Sequence, residues 1–234
     1  MKKNKNRITT VLLALVFLAG LSLLLYPTVS DYWNPFHAPR AVPAYAQEVA
    51  DLNGAEYDRL LEAARDYNAR AAQRSNTFAL TEAEQEEYQS LLNMDGTGIM
   101  GYIEIPNIKL SLPVYHGTEE SVLQIAVGHL DWGALPVGGG GTHCVLSGHR
   151  GLPSAKLFTN LDQLREGDTF TLRVLDEVLC YEVDQIRIVE PQDTAALLPE
   201  PGQDLCTLVT CTPYGVNTHR LLVRGHRIET PDSA

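Results

Sequence analysis

From Gly101 onward the chain breaks into short apolar or alternating runs, each bounded by proline or glycine, and this texture limits what it can fold into. The runs are Tyr102–Ile105, Ile108–Leu112, Thr142–Leu146, Thr169–Val174, Val178–Val189, Leu205–Cys211 and Arg220–Ile228. In Thr169–Val174 the residues Phe170, Leu172 and Val174 fall on one side, the period-2 pattern of a half-buried strand. Short strands separated by turn residues point to an antiparallel sandwich or a barrel. Helices are expected only before this region. Val49, Leu52, Tyr57, Leu60, Leu61 and Ala64 lie at helical spacing within 44–73, and Thr81 with Glu84 forms a capping-box start for a second helix reaching Leu92. Asp95–Gly98 then reads as a turn.

The N-terminus carries a different signal. Ile8 to Tyr26 is a run of 19 residues without charge, preceded by Lys2, Lys3, Lys5 and Arg7. About 20 helical residues cross a hydrocarbon core of roughly 30 Å. A basic flank before the run and an acidic chain after it orient the N-terminus inward and the bulk outward. A cleaved signal peptide is the competing reading. Its apolar region is usually about 7–15 residues with a small-residue cleavage site close behind, whereas Ala44-Tyr45-Ala46 lies far downstream. The expected layout is a basic cytoplasmic segment over 1–7, a transmembrane anchor over 8–26 and a proline-rich linker over 27–43. A helical region over 44–98, a β-domain over 99–229 and a short tail over 230–234 follow.

Charge excludes one class of partner. Four of the 18 basic residues precede Ile8, so the rest of the chain holds 14 against 29 acidic residues. A domain this acidic is a poor partner for nucleic acid. The four cysteines give no metal-ligand spacing. Cys206 and Cys211, in one strand, would lie roughly 16 Å apart on opposite faces, too far for a disulfide. Cys144, Cys180 and Cys206 read as small core side chains. Gly138–Gly141 follows no strand-to-helix context and lacks the lysine of a phosphate loop, so it reads as a flexible hairpin loop.

Cys211 differs from the other three. It ends an apolar strand and runs into Thr212-Pro213-Tyr214-Gly215, where a thiol is accessible, as nucleophilic catalysis requires. Arg220 opens the next strand, so a hairpin returns its guanidinium beside Cys211, placed to stabilise a thiolate or an oxyanion. Among seven histidines, His149 also sits where an apolar strand meets a glycine-bounded loop, in Ser147-Gly-His-Arg150. His116 and His129 read as makers of structural hydrogen bonds, and His143 lies within a strand. His219 points opposite to Arg220 in a strand. Spacing alone leaves the choice of base open.

Thr207-Leu-Val-Thr-Cys211 resembles the Thr-Leu-x-Thr-Cys signature of sortases, and Ser147-Gly-His-Arg150 and Arg220 match their histidine and arginine segments. The stretch from Ile99 to Ile228 is similar to class C, pilin-polymerising sortases, including Gly101-Tyr-Ile-Glu-Ile-Pro106, Val114-Tyr-His-Gly-Thr118 and Thr212 to Arg220. The resemblance implies a mainly β fold, a closed, roughly eight-stranded barrel with N-terminal helices. It implies a cysteine transpeptidase that cuts an LPXTG-like sorting signal between Thr and Gly. The acyl-enzyme would be resolved by an amine, either a pilin lysine or a cell-wall peptide in a housekeeping enzyme, or by water in a plain endopeptidase. Cys211 would be the nucleophile, His149 the general acid and Arg220 the oxyanion stabiliser, with no metal or organic cofactor. A membrane-tethered binding module has no need of that set.

Two departures stand out. Where class C enzymes carry an Asp-Pro-aromatic lid motif, this chain has Asn76-Thr77-Phe78. The aromatic plug survives without the acid or the proline, so the expectation is a loosely held lid, or none that works. The alternative is that Phe78 packs between the two helices. Six residues follow Ile228, so a single anchor is expected.

Overall fold

The structure is a computed structural model that describes residues 11–22, 25, 41–73, 78–94, 96–152 and 155–229. Residues 11–22 are helical with exposed apolar side chains, and 8–10, 23, 24 and 26 of the expected anchor lie outside the described residues. Among the described residues no helix is long and apolar enough to cross a membrane. The segments expected over 1–7 and 230–234 lie outside them as well.

Among the described residues three helices lead into the barrel: α1 (Ala41–Asp51), α2 (Gly54–Ala71) and α3 (Glu82–Ser90). The proline-rich linker was expected to run to residue 43, but Ala41, Val42 and Pro43 already belong to α1. Proline is tolerated in a first turn because those N–H groups have no helical partner. The single helical run expected over 44–73 is broken at Leu52–Asn53. There the Asn53 side chain accepts a hydrogen bond from Glu56 N and starts α2 as its N-cap. The capping box at Thr81 forms as expected, with Glu84 N donating to the Thr81 hydroxyl and the Glu84 carboxylate accepting from Thr81 N.

Eight strands follow among the described residues: β1 (Ile99–Ile105), β2 (Leu110–His116), β3 (Val127–His129), β4 (Thr142–Ser147), β5 (Thr169–Val174), β6 (Glu177–Val189), β7 (Asp204–Thr212) and β8 (His219–Arg227). They close in the order β1-β2-β3-β4-β7-β8-β6-β5. The expected barrel is therefore present, with two differences. Two of its pairings are parallel, β2 with β3 and β4 with β7, where the sequence suggested antiparallel strands throughout. Each parallel pair needs a crossover connection; the short helix α4 (Glu120–Leu123) supplies the first. The second difference is β3 itself, three residues long and without the alternation that marks the others.

The interior holds Met100, Ile103, Leu146, Phe158, Phe170, Tyr181, Leu208 and Val223, all at most 1% exposed. Gly225 makes room for this core, since a Cβ there would lie 2.8 Å from the Phe170 ring. The helices are fastened by buried polar contacts. The Asn68 side chain of α2 donates to Leu135 O and accepts from Leu135 N, at 3.0 and 2.7 Å. Tyr45 donates to Met100 O and accepts from Leu175 N. His116 lies between Gly98 O and Leu91 O, joining the end of β2 to the chain after α3.

Candidate active site at one end of the barrel

Strand alternation sorts β4, β7 and β8 into two faces. Cys144, Leu146, Cys206, Leu208, Leu221 and Val223 belong to the interior cluster. Val145, Val209 and Leu222 form a second apolar cluster on the outer face, with Leu197 from the β6–β7 connection and Leu130 and Trp132 beside them. That connection is tied down over the outer face: His143 bonds Leu198 O and the Thr207 hydroxyl, and Arg224 pairs with Asp184 and Glu200. The result is an apolar floor under a loop, which ends at the last turns of β4 and β7.

Cys211 stands two residues beyond Val209, so it shares that outer face and is partly exposed, while the other three cysteines are buried. Cys211 pairs directly with Arg220 across the β7–β8 ladder, placing both side chains on one face. His149 lies two residues beyond Ser147, which is the register partner of Val209. Because β4 and β7 run parallel, their C-terminal ends coincide. Gly148 N donates to Val209 O at 3.1 Å and the Thr210 hydroxyl to Gly148 O at 2.7 Å, which holds the His149 loop beside the end of β7. The three residues singled out from the sequence are thus delivered to one end of the barrel by register.

The glycines around His149 have packing reasons. A Cβ on Gly148 would come within 2.7 Å of the Phe158 ring. One on Gly151, whose φ is +80°, would come within 2.8 Å of the Tyr214 ring. The Ser-Gly-His-Arg-Gly spelling therefore lets a loop turn sharply over a core aromatic while touching the β7–β8 loop.

The polar surroundings differ for each residue. Glu120 of α4 approaches His149 Nε2 at 3.5 Å. A hydrogen bond from Gln124, and the nearby His149 ring, hold the Glu120 carboxyl below the usual range. Glu120 is an addition to the sequence reading. It sits 29 residues before His149 in a short helix, and nothing in the local spelling marks it. The Arg220 guanidinium bonds Asn217 O and His219 O, and among the described residues it pairs with no carboxylate. His219 turns instead to Glu190 at 3.3 Å, as expected from its direction opposite to Arg220. His116, His129 and His143 all make structural hydrogen bonds.

Phe78 is 44% exposed, and its ring meets Trp132 edge-on at 5.0 Å. Trp132 packs against the outer-face cluster, so the aromatic residue rests beside the apolar floor that leads to Cys211. Asn76 and Thr77 lie outside the described residues.

Comparison with known proteins agrees with this architecture. A sortase-domain family model matches residues 103–228. Sortase C1 of Streptococcus agalactiae is 49% identical, with 82% of this chain and 100% of that chain covered and a TM-score of 0.81. Sortase C-1 of Actinomyces oris is 43% identical over 74% of this chain and 98% of that chain, with a TM-score of 0.69. Sortase D of Bacillus subtilis is 30% identical over 131 residues; the match spans 55% of this chain and 63% of that relative. With the family's domain matched over more than half its length and a solved relative covered end to end, the chain belongs to the sortase family, with class C members among its structural neighbours.

Proposed function

We propose that this protein is a class C-type transpeptidase that cuts an LPXTG-like sorting signal and passes its acyl part to an amine, most simply a pilin lysine. The observation that carries this reading is the register that sets Cys211 against Arg220 and beside the end of β4, on the outer face of the barrel. The Cys211 sulfur attacks the carbonyl carbon of the signal's Thr–Gly bond. Negative charge gathers on the carbonyl oxygen and is met by the Arg220 guanidinium, a fixed donor that needs no reorganisation as the charge develops. His149 donates a proton to the departing amino group. The thioester that remains is attacked by the acceptor amine, which gives a proton back to the imidazole as the new amide forms and the Cys211 thiolate leaves.

Phe78, resting on Trp132, is our candidate lid residue. We also infer that residues 8–26 anchor the chain in the cell membrane as a single pass, with the catalytic domain outside. The support is the uncharged run behind a basic flank and the exposed apolar side chains of residues 11–22.

The test is intact mass of the domain after incubation with an LPXTG peptide, wild type beside Cys211→Ala. A thioester adduct of the peptide's N-terminal part, absent in the variant, is the expected result. Adding a pilin-derived lysine peptide then yields the transfer product. Absence of both adduct and cleavage in the wild type and in Phe78→Ala removes the assignment.

A further inference from the structure

Arg150 follows His149, yet its side chain is only 9% exposed. One outer nitrogen donates to the Thr212 hydroxyl at 3.1 Å and the other to the Asp162 carboxylate. Its Cζ lies 6.0 Å from the Tyr214 ring centroid. The Nε–H is buried with no partner among the described residues. A guanidinium held this far from water is costly unless its charge is paired, and here one hydrogen bond is also left unmade. The position is therefore dictated by the two groups that its outer nitrogens reach.

Those groups belong to different parts of the site. Thr212 is 7% exposed, directly follows Cys211 and is the final residue of β7. Asp162 sits in the 3₁₀ turn Leu161–Gln163, on the segment that returns beneath the histidine loop, where Phe158 N donates to His149 O at 3.1 Å. Tyr214 belongs to the β7–β8 loop that leads to Arg220. The main-chain ladder between β4 and β7 ends at Ser147 and Val209. Beyond it Gly148 N donates to Val209 O and the Thr210 hydroxyl to Gly148 O. Past residue 148, the Arg150–Thr212 bond cross-links the two strand ends.

We propose that Arg150 is a positioning residue: through Thr212 it fixes the spacing between the His149 loop and the Cys211 strand end, with Asp162 holding the guanidinium in place. This inference rests on the reading of Cys211 and His149 as a catalytic pair. The guanidinium touches neither the thiol nor the substrate groups of that reading; it acts by holding the two loops in one geometry. Lysine cannot replace it, because a single ammonium lacks the planar fork that reaches two acceptors at once.

The experiment compares Arg150→Gln, Arg150→Lys, Thr212→Val, Thr212→Ser and the Arg150→Gln/Thr212→Val double variant. Readouts are LPXTG-peptide turnover, the rate of Cys211 alkylation by iodoacetamide mapped by mass spectrometry, and the thermal midpoint. A misplacement of about 1 Å can cost on the order of a hundredfold in rate. Arg150→Gln, Arg150→Lys and Thr212→Val should each lower kcat by at least about tenfold with KM nearly unchanged. Thr212→Ser keeps the hydroxyl and should stay within about twofold of wild type, and the double variant should be no worse than the worse single one. Full activity of Thr212→Val, restoration by lysine, or losses that multiply in the double variant would overturn the proposal. Should Arg150→Gln fail to fold, the Thr212 pair decides alone. Alkylation needs no peptide. If the wild type forms no peptide adduct, the acyl-transfer reading fails, and a slower Cys211 alkylation in Thr212→Val than in Thr212→Ser still supports the bridge, while equal rates sink it.

Discussion

Two thiol–imidazole neighbourhoods lie back to back on β4 and β7. On the inner side Cys144 faces Cys206, its register partner; both thiols are buried, and His129 lies nearby. His129 is fully buried and both of its nitrogens are occupied. Its Nε2 bonds Ala134 O, which can only accept, so Nε2 carries the proton and Nδ1 accepts from the Tyr88 hydroxyl. Burial pushes the Cys206 thiol well up, and the neighbouring Cys144 adds to this. On the outer side Cys211 is partly exposed, His149 is 29% exposed, and a guanidinium stands across the ladder. Cysteine beside histidine is common to both. Access separates them: Cys211 is partly exposed while Cys144 and Cys206 are buried, and a nucleophile requires access.

The strongest way to break this contrast is to remove one thiol from each side. Cys211→Ala should lower turnover of an LPXTG peptide by more than about a thousandfold, with no adduct by intact mass. Cys144→Ala and Cys206→Ala should instead keep activity within about threefold and lower stability by ~1–2 kcal/mol in urea denaturation. Exchanging the histidines comes next. His149→Gln should reduce kcat by about 10²–10⁴ with little change in urea midpoint. His129→Gln should do the reverse, costing ~1–3 kcal/mol through the buried groups left unpaired.

Gly148 lies at the seam between the two sides. Gly148→Ala drives a methyl into the Phe158 ring, so a loss of ~1–3 kcal/mol is expected. A displaced His149 loop should lower turnover with it. A variant that kept full activity would show that the loop tolerates a shift.

The smallest effect concerns pH. Burial holds the His116 and His143 rings below the ordinary value of 6.5. The unfolded chain therefore binds protons that the folded chain refuses. The stability these rings contribute is present above about pH 6.5 and is lost as pH falls below it through their folded values, by at most about 1.4 kcal/mol per group per pH unit. The urea midpoint should drop between pH 7.5 and 5, and His143→Gln should flatten that slope while lowering the midpoint at pH 7.5.

Much of the outer face can be read along the chain because it follows from period 2. Given a hairpin between β7 and β8, Cys211 and Arg220 must meet, and they do. The Thr81 capping box is equally local and equally legible. Asn53-Gly54 carried a turn signal that the helical spacing on either side obscured. Other features have no local signature. β3 is too short to alternate, and its parallel pairing depends on where a crossover lands. Cys144 and Cys206 face one another only because β4 and β7 share a direction. Glu120 and the Arg150–Thr212 bond join residues far apart in sequence, through side chains whose reach no spacing rule encodes.

The parallel pairing of β4 with β7 also sets a timetable. A chain growing from its N-terminus presents His149 early, but the strand beside it does not exist until 62 more residues have been added. Arg220 arrives later still, on the strand that must slot between β7 and β6 to complete the ring. Closing so long a loop is entropically costly until the final contacts form. A half-made molecule therefore holds His149 without Cys211, and the three residues come together only with the last strand.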